Sequence, residues 1–231
     1  MSHPHERKQG AGMNSEADQP NRLEKRKART RTALIRAAQA LIAQGRTNVP
    51  IVEITQAADI GIGSFYNYFD SKERLFDAAF EAVIDDYGHL LDHVTAGLED
   101  PAEVFATSFR LTGRLHRSEP QLSRVLFHNL PRLLQAEDGL APRARRDITA
   151  AARAGRFEVA DVEVAVAVAA GALIALGQLL HDQPDRDVEQ TTDQMTEDLL
   201  RMFGLPRRQA HHLCTTPLPD LDTKRKDHSA A

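Results

Sequence analysis

Between Ile54 and Phe69 the chain concentrates the side chains best suited to chemistry on another macromolecule. Residues 54–69 read as two short helices around a four-residue turn. The second carries Ile62, Gly63, Ser64, Tyr66, Asn67 and Tyr68, and Lys72 lies one turn beyond. Small residues let a backbone approach a duplex closely. Ser64 and Asn67 can hydrogen-bond to base edges or phosphate, tyrosine hydroxyls reach phosphate oxygens, and Ile62 can meet a thymine methyl group. That mixture suits a helix entering the major groove of double-stranded DNA.

Signatures of catalysis are missing. The sequence holds no Gly-rich phosphate loop ending in Lys-Ser/Thr, no Gly-x-Ser-x-Gly and no His-Glu-x-x-His. His211, His212 and Cys214 lack a second ligand pair and are not expected to hold a metal. No cofactor is expected, and His116 is expected to be a structural histidine. With Cys214 as the single cysteine, no internal disulfide can form, so a reducing cytoplasm is the expected setting.

Charge is distributed unevenly. The formal net charge is −4, yet residues 1–72 carry 11 Lys and Arg against 7 Asp and Glu. A basic head on an acidic body suits a protein that offers one end to phosphates. Six of the ten residues from Arg22 to Arg31 are basic, and Lys27 and Arg31 are candidate phosphate or minor-groove contacts.

The elements that must position these groups are all helical. Residues 1–21 form a polar arm expected to be disordered. Leu34, Ala38, Leu41 and Ile42 follow helical spacing up to a stop at Gly45. Ile54, Ala58, Ile60, Phe65 and Phe69 read as core of the head. Asp70-Ser71 caps a long helix that links residues 22–76 to a larger helical body, residues 77–206. There, helices begin at Pro101, Pro120, Leu140, Asp161 and Val188, and residues 207–231 read as a disordered tail. The apolar window Val164–Leu180 is broken by Gln178, Gly171 and Gly177 and lacks a basic flank, so it is read as buried rather than membrane-spanning. Ala167, Gly171 and Ala175 form a small-residue stripe, and Met195, Leu199 and Met202 repeat on the next helix. Together they are the expected dimer interface.

The run Ser64-Phe65-Tyr66-Asn67-Tyr68-Phe69-Asp70-Ser71-Lys72-Glu73 resembles the signature of the tetracycline-repressor (TetR) family of bacterial transcription regulators. The pattern hydroxyl–hydrophobe–Tyr–x–Tyr/His–Phe followed by Ser-Lys-Glu is matched almost throughout, within residues 27–87. Three positions depart from it. Asp59 replaces a turn glycine, Gly61 a capping Ser or Thr, and Pro50 a Thr or Ser whose hydroxyl often reaches phosphate. The resemblance implies an all-α dimer with an N-terminal three-helix helix-turn-helix domain on a larger ligand-binding and dimerisation domain. It further implies a repressor released from a palindromic operator by a small apolar or amphipathic ligand. Phe105, Phe109, Leu126, Phe127, Leu173 and Gln178 are the candidate ligand contacts. Two alternatives stand beside it: a regulator of the same fold with a collapsed pocket and no effector, and a helical enzyme with an incidental helix-turn-helix.

Overall fold

The computed structural model describes residues 22–120, 123 and 138–219. The basic segment opens α1 (Arg22–Ala43), whose Leu34, Ala38, Leu41 and Ile42 face inward. Gly45 ends it with a left-handed backbone, φ 72°. The seven residues of α2 (Ile51–Ala57) follow directly after Pro50, which offers no side-chain cap. A helix this short is stable only against neighbours, and Ile54 and Thr55 bury themselves there.

Asp59 takes φ 54° in the turn, the one non-glycine residue at positive φ among the described residues. The Ile60 N–H then donates to the Thr55 carbonyl at 2.9 Å, closing the helix end in the way a glycine would normally allow. An aspartate tolerates that conformation better than most residues. The second motif element is a 3-10 helix (Ile62–Asn67) rather than an α-helix, entered from Gly61.

Ser71 caps α3 (Lys72–Thr95) by accepting from the Arg74 N–H at 3.2 Å. At 24 residues this helix is about 36 Å long. Its first half, Leu75, Ala79, Phe80 and Ile84, shares one apolar cluster with Leu34, Leu41, Ile54, Phe65 and Phe69. Its second half belongs to the body, where Tyr87, Leu90 and Leu91 meet Leu111 and Leu115.

The body continues with α4 (Pro101–Ser118), α5 (Leu140–Arg153), α6 (Val162–Asp182) and α7 (Val188–Met202). Asp100, Asp161 and Asp187 cap α4, α6 and α7 through their carboxylates. The main core lies where Phe105, Phe157 and Phe203 converge, with ring centroids 5.3–5.7 Å apart. The helix expected to start at Pro120 lies mostly outside the described residues, together with Leu126 and Phe127.

Beyond Pro206 the chain does not run free. Residues 207–215 form α8 (Arg207–Thr215), with Ala210, Leu213 and Cys214 buried on one face. This corrects the expectation of a disordered tail from residue 207. The spacing i, i+3, i+4 supplies a short apolar stripe, and Arg110 holds the far end by donating to the Leu213 and Thr216 carbonyls at 3.1 and 2.8 Å. Arg110 itself is buried and paired with Asp193 at 2.8 Å.

Candidate nucleic-acid interface and body cavity

A 3-10 helix has three residues per turn, so side chains at i and i+3 stack. In Ile62–Asn67 this aligns Gly63 with Tyr66 and Ser64 with Asn67, while Phe65 turns inward and is fully buried. Ile62 and Tyr66 are 54% and 63% exposed, large apolar surfaces that the head leaves uncovered. Phe65 meets the Tyr66 ring edge-on at 5.3 Å and so steadies it. Asn67 and Gly63 are exposed, Ser64 is half-buried, and Tyr68 packs partly into the head core.

The cations predicted to surround this surface take different positions. Arg31 lies over the Phe69 ring at 5.2 Å, which ties α1 to the motif. Lys27 is exposed on the first turns of α1. Lys72 donates to Asn48 Oδ1 at 3.3 Å, at the edge of a recess lined by Pro50, Tyr66, Ser71 and Lys72. Asn48 joins this surface without having been expected, because it precedes α2 and falls outside the helical motif pattern that marked the others.

A second site lies inside the body, in a cavity of about 100 Å³ between α3, α4, α5 and α6. Phe105, Phe109 and Leu173 line it as expected, beside Leu91, Val166 and Ile174. Gln178 does not. It is exposed on α6 and donates to Asp182 at 2.8 Å, because its position falls on the outward face of that helix. Leu199 likewise departs from its expected place. It is buried in the body core, whereas Met202 is 54% exposed and Met195 packs partly against that core. On a helix, residues 195, 199 and 202 do not all share an outer edge once 199 and 200 face inward. Ala167, Gly171 and Ala175 stand exposed on α6, and no atom approaches within 4 Å of where a Gly171 side chain would begin.

One corner of the cavity is strongly polar. Arg143 donates to Asp92 at 2.8 Å and to Asp85 at 3.0 Å, and Arg146 pairs with Asp92 at 2.8 Å and Asp147 at 2.9 Å. Burial works against the Asp92 charge, but hydrogen bonds from both guanidinium groups outweigh it and hold this carboxyl below its ordinary range. Burial prevails at Asp147 and raises it despite Arg146. His116 closes the other side. Its ring nitrogens lie 2.7 Å from Ser123 Oγ and 2.9 Å from the Leu173 carbonyl. Since that carbonyl can only accept, Nε2 carries a proton and Nδ1 accepts from the serine in the neutral ring. Burial depresses the imidazole to about 4, so neutral it is at physiological pH.

No local sequence signal marks this corner: Asp92 and Asp85 lie 51 and 58 residues from Arg143, and Asp147, although next to Arg146, belongs to no motif.

Comparison with known proteins agrees with this geometry. Residues 34–79 match the family described as bacterial regulatory proteins, tetR family, and residues 100–215 match the tetracyclin repressor-like C-terminal domain. The crystal structure of RolR in complex with resorcinol is 34% identical, over 86% of this chain and 99% of that one, with a TM-score of 0.73. RolR without ligand is 35% identical over 82% and 99%, with a TM-score of 0.68. The transcriptional repressor KstR2 of Rhodococcus jostii (strain RHA1) is 35% identical over 82 residues, 35% of this chain and 40% of that repressor's length. The chain therefore belongs to the tetR family of bacterial regulatory proteins, which are DNA-binding transcriptional regulators and not enzymes.

Proposed function

We propose that the protein is a homodimeric cytoplasmic repressor that leaves a palindromic operator when a small hydroxylated aromatic molecule enters the body cavity. One observation carries this reading: an apolar slot whose charged corner holds two guanidinium groups and two carboxylates. Phe105, Phe109 and Leu173 suit the faces of a ring. A phenolic hydroxyl both donates and accepts, so it can serve Asp92 and Arg143 or Arg146 at once. The space corresponds to roughly eight water-sized spheres at ~10–15 Å³ each, enough for one substituted ring. RolR, whose solved complex contains resorcinol, supports the same class. The cavity also counts against the effector-free alternative, which requires a filled body.

Charge narrows the ligand further. Asp85, Asp92 and Asp147 already outnumber Arg143 and Arg146 around that corner. An aromatic carboxylate would add a fourth anion, whereas a neutral phenol would not.

Dimerisation supports the operator geometry. The apolar window of α6 has a mean hydropathy of 2.0, yet only 28% of it is buried within one chain. Val164, Ala167, Gly171 and Ala175 line its open face, and Met202 of α7 is exposed as well. A two-fold partner offering the same face would cover both copies and set two recognition helices about 34–36 Å apart.

Fluorescence anisotropy on a labelled operator, recovered by selection from random DNA, tests the whole reading. Two chains should bind per half-site pair, resorcinol should release them, and benzoate at equal concentration should not. Calorimetry showing no resorcinol binding, or release by benzoate alone, would remove the phenol assignment.

A further inference from the structure

Four residues of α3, namely Asp85, Gly88, His89 and Asp92, follow one another along a single stripe, and the Arg143 side chain lies across all of them. Its Nη1 donates to Asp85 at 3.0 Å, its Nε to Asp92 at 2.8 Å, and Nη2 lies 3.2 Å from His89 Nδ1. The seven steps from Asp85 to Asp92 cover about 10 Å of helix. The guanidinium can lie so low only because residue 88 has no side chain. A Cβ there would stand 2.5 Å from Nη1 and 2.6 Å from Cζ of Arg143. Glycine in a helix interior is unfavourable relative to alanine, and this 24-residue helix nevertheless carries a buried one in its second half.

Arg143 and Asp92 also line the cavity. We infer that Gly88 is a positioning residue for the regulatory response: its missing side chain is the seat that lets the Arg143 guanidinium clamp α3. An occupant of the cavity and α3 then compete for one cation. This rests on the effector reading above. A hydroxyl that accepts from Arg143 or donates to Asp92 draws on the same groups that fix the body half of α3. The head half of that helix is fixed by the apolar cluster around Leu75 and Phe80. Loosening the clamp therefore alters how the head sits on the body, and a variant that empties the seat should imitate the effector.

The test uses the full-chain protein, the selected operator and resorcinol as the probe. Gly88→Ala displaces the far end of a flexible side chain, and the helix preference of alanine over glycine offsets the lost pairing, so its melting temperature should change little. Without resorcinol its operator affinity should drop by about fivefold or more, within the usual range of allosteric coupling. Resorcinol should still bind by calorimetry but change operator affinity by less than about twofold further. Arg143→Lys keeps the charge but cannot bridge Asp85 and Asp92, and should behave in the same way. The double variant should be no weaker than Arg143→Lys alone, because the alanine acts only through Arg143. Wild-type operator affinity and wild-type response in Gly88→Ala would overturn the inference, and so would multiplying losses in the double variant. If wild-type protein fails to bind resorcinol, the effector reading falls by itself. The resorcinol-free affinities of the three variants still decide the seat.

Discussion

The two halves of α3 are held by opposite means. From Leu75 to Ile84 the helix is gripped by an apolar cluster, in which Leu75 and its neighbours Leu34, Ile54 and Phe65 are fully buried. From Asp85 to Asp92 it is gripped by ion pairs to Arg143 and Arg146, alongside the small patch of Tyr87, Leu90 and Leu91. Apolar burial is non-directional, and a small polar molecule cannot displace it. Hydrogen-bonded ion pairs are directional and open to competition by any group offering the same atoms. One helix thus has an apolar anchor in the head and an ion-paired one in the body, the arrangement the proposed effector response requires.

The apolar anchor should fail at the greatest cost. Leu75→Ala removes a fully buried side chain from the head cluster and should cost about 2–5 kcal/mol. Operator binding should weaken with or without effector, and denaturant titration gives the stability change. A smaller loss from Leu75→Ala than from Arg143→Lys would invert the comparison.

Local signals explain how much of this was legible. The helix limits at Pro101, Gly45 and Gly155, and the caps at Ser71 and Asp161, are punctuation carried by single residues. The left-handed turn could be anticipated at Asp59 for the same reason. The motif side chains were legible because they sit within one short run. The polar corner of the cavity was not, since Asp92 and Arg143 meet only when α3 and α5 pack. Gln178 was misplaced because hydropathy gave α6 no clear inner face; the helix is apolar almost all round, and packing alone chose its outward side. In the tail, the stripe of Ala210, Leu213 and Cys214 was readable, but the surrounding charge and prolines masked it.

The body anchor lies in a polar interior that should respond to acid, whereas the head cluster should not. His116 is depressed from 6.5 to about 4, so between those values the unfolded chain binds a proton that the folded chain refuses. Stability must fall as pH drops through that window, by up to about 3 kcal/mol for this group. Asp92, lowered by its arginine partners, loses its contribution only further down, as pH falls through its folded value below 3.8. Asp147 has the opposite sign: raised by burial, it takes up its proton first in the folded state. The difference between wild type and His116→Gln isolates the histidine, because the other groups are common to both. Denaturation midpoints from pH 7 to 4 should fall less steeply in the variant; parallel slopes would remove His116 as the source.

The smallest effect belongs to the surface that neither anchor touches. Asn67 is exposed at the end of the 3-10 helix, so its removal should leave stability within about 0.5 kcal/mol. No Arg or Lys lies within residues 61–69, so sequence reading there must come from amide, hydroxyl, aromatic and methyl contacts or from DNA shape. An amide can read adenine through two hydrogen bonds, which discriminates by about 1–3 kcal/mol. Lys27, Arg31 and Lys72, the candidate phosphate contacts, stay in place, so non-specific binding and its salt dependence should hardly change. Asn67→Ala should therefore relax the preference at one symmetric pair of operator positions and nowhere else. Selection from random DNA with both proteins decides it. An unchanged motif, with equal information at every position, would transfer the reading to duplex shape and leave Asn67 as a spectator at the interface.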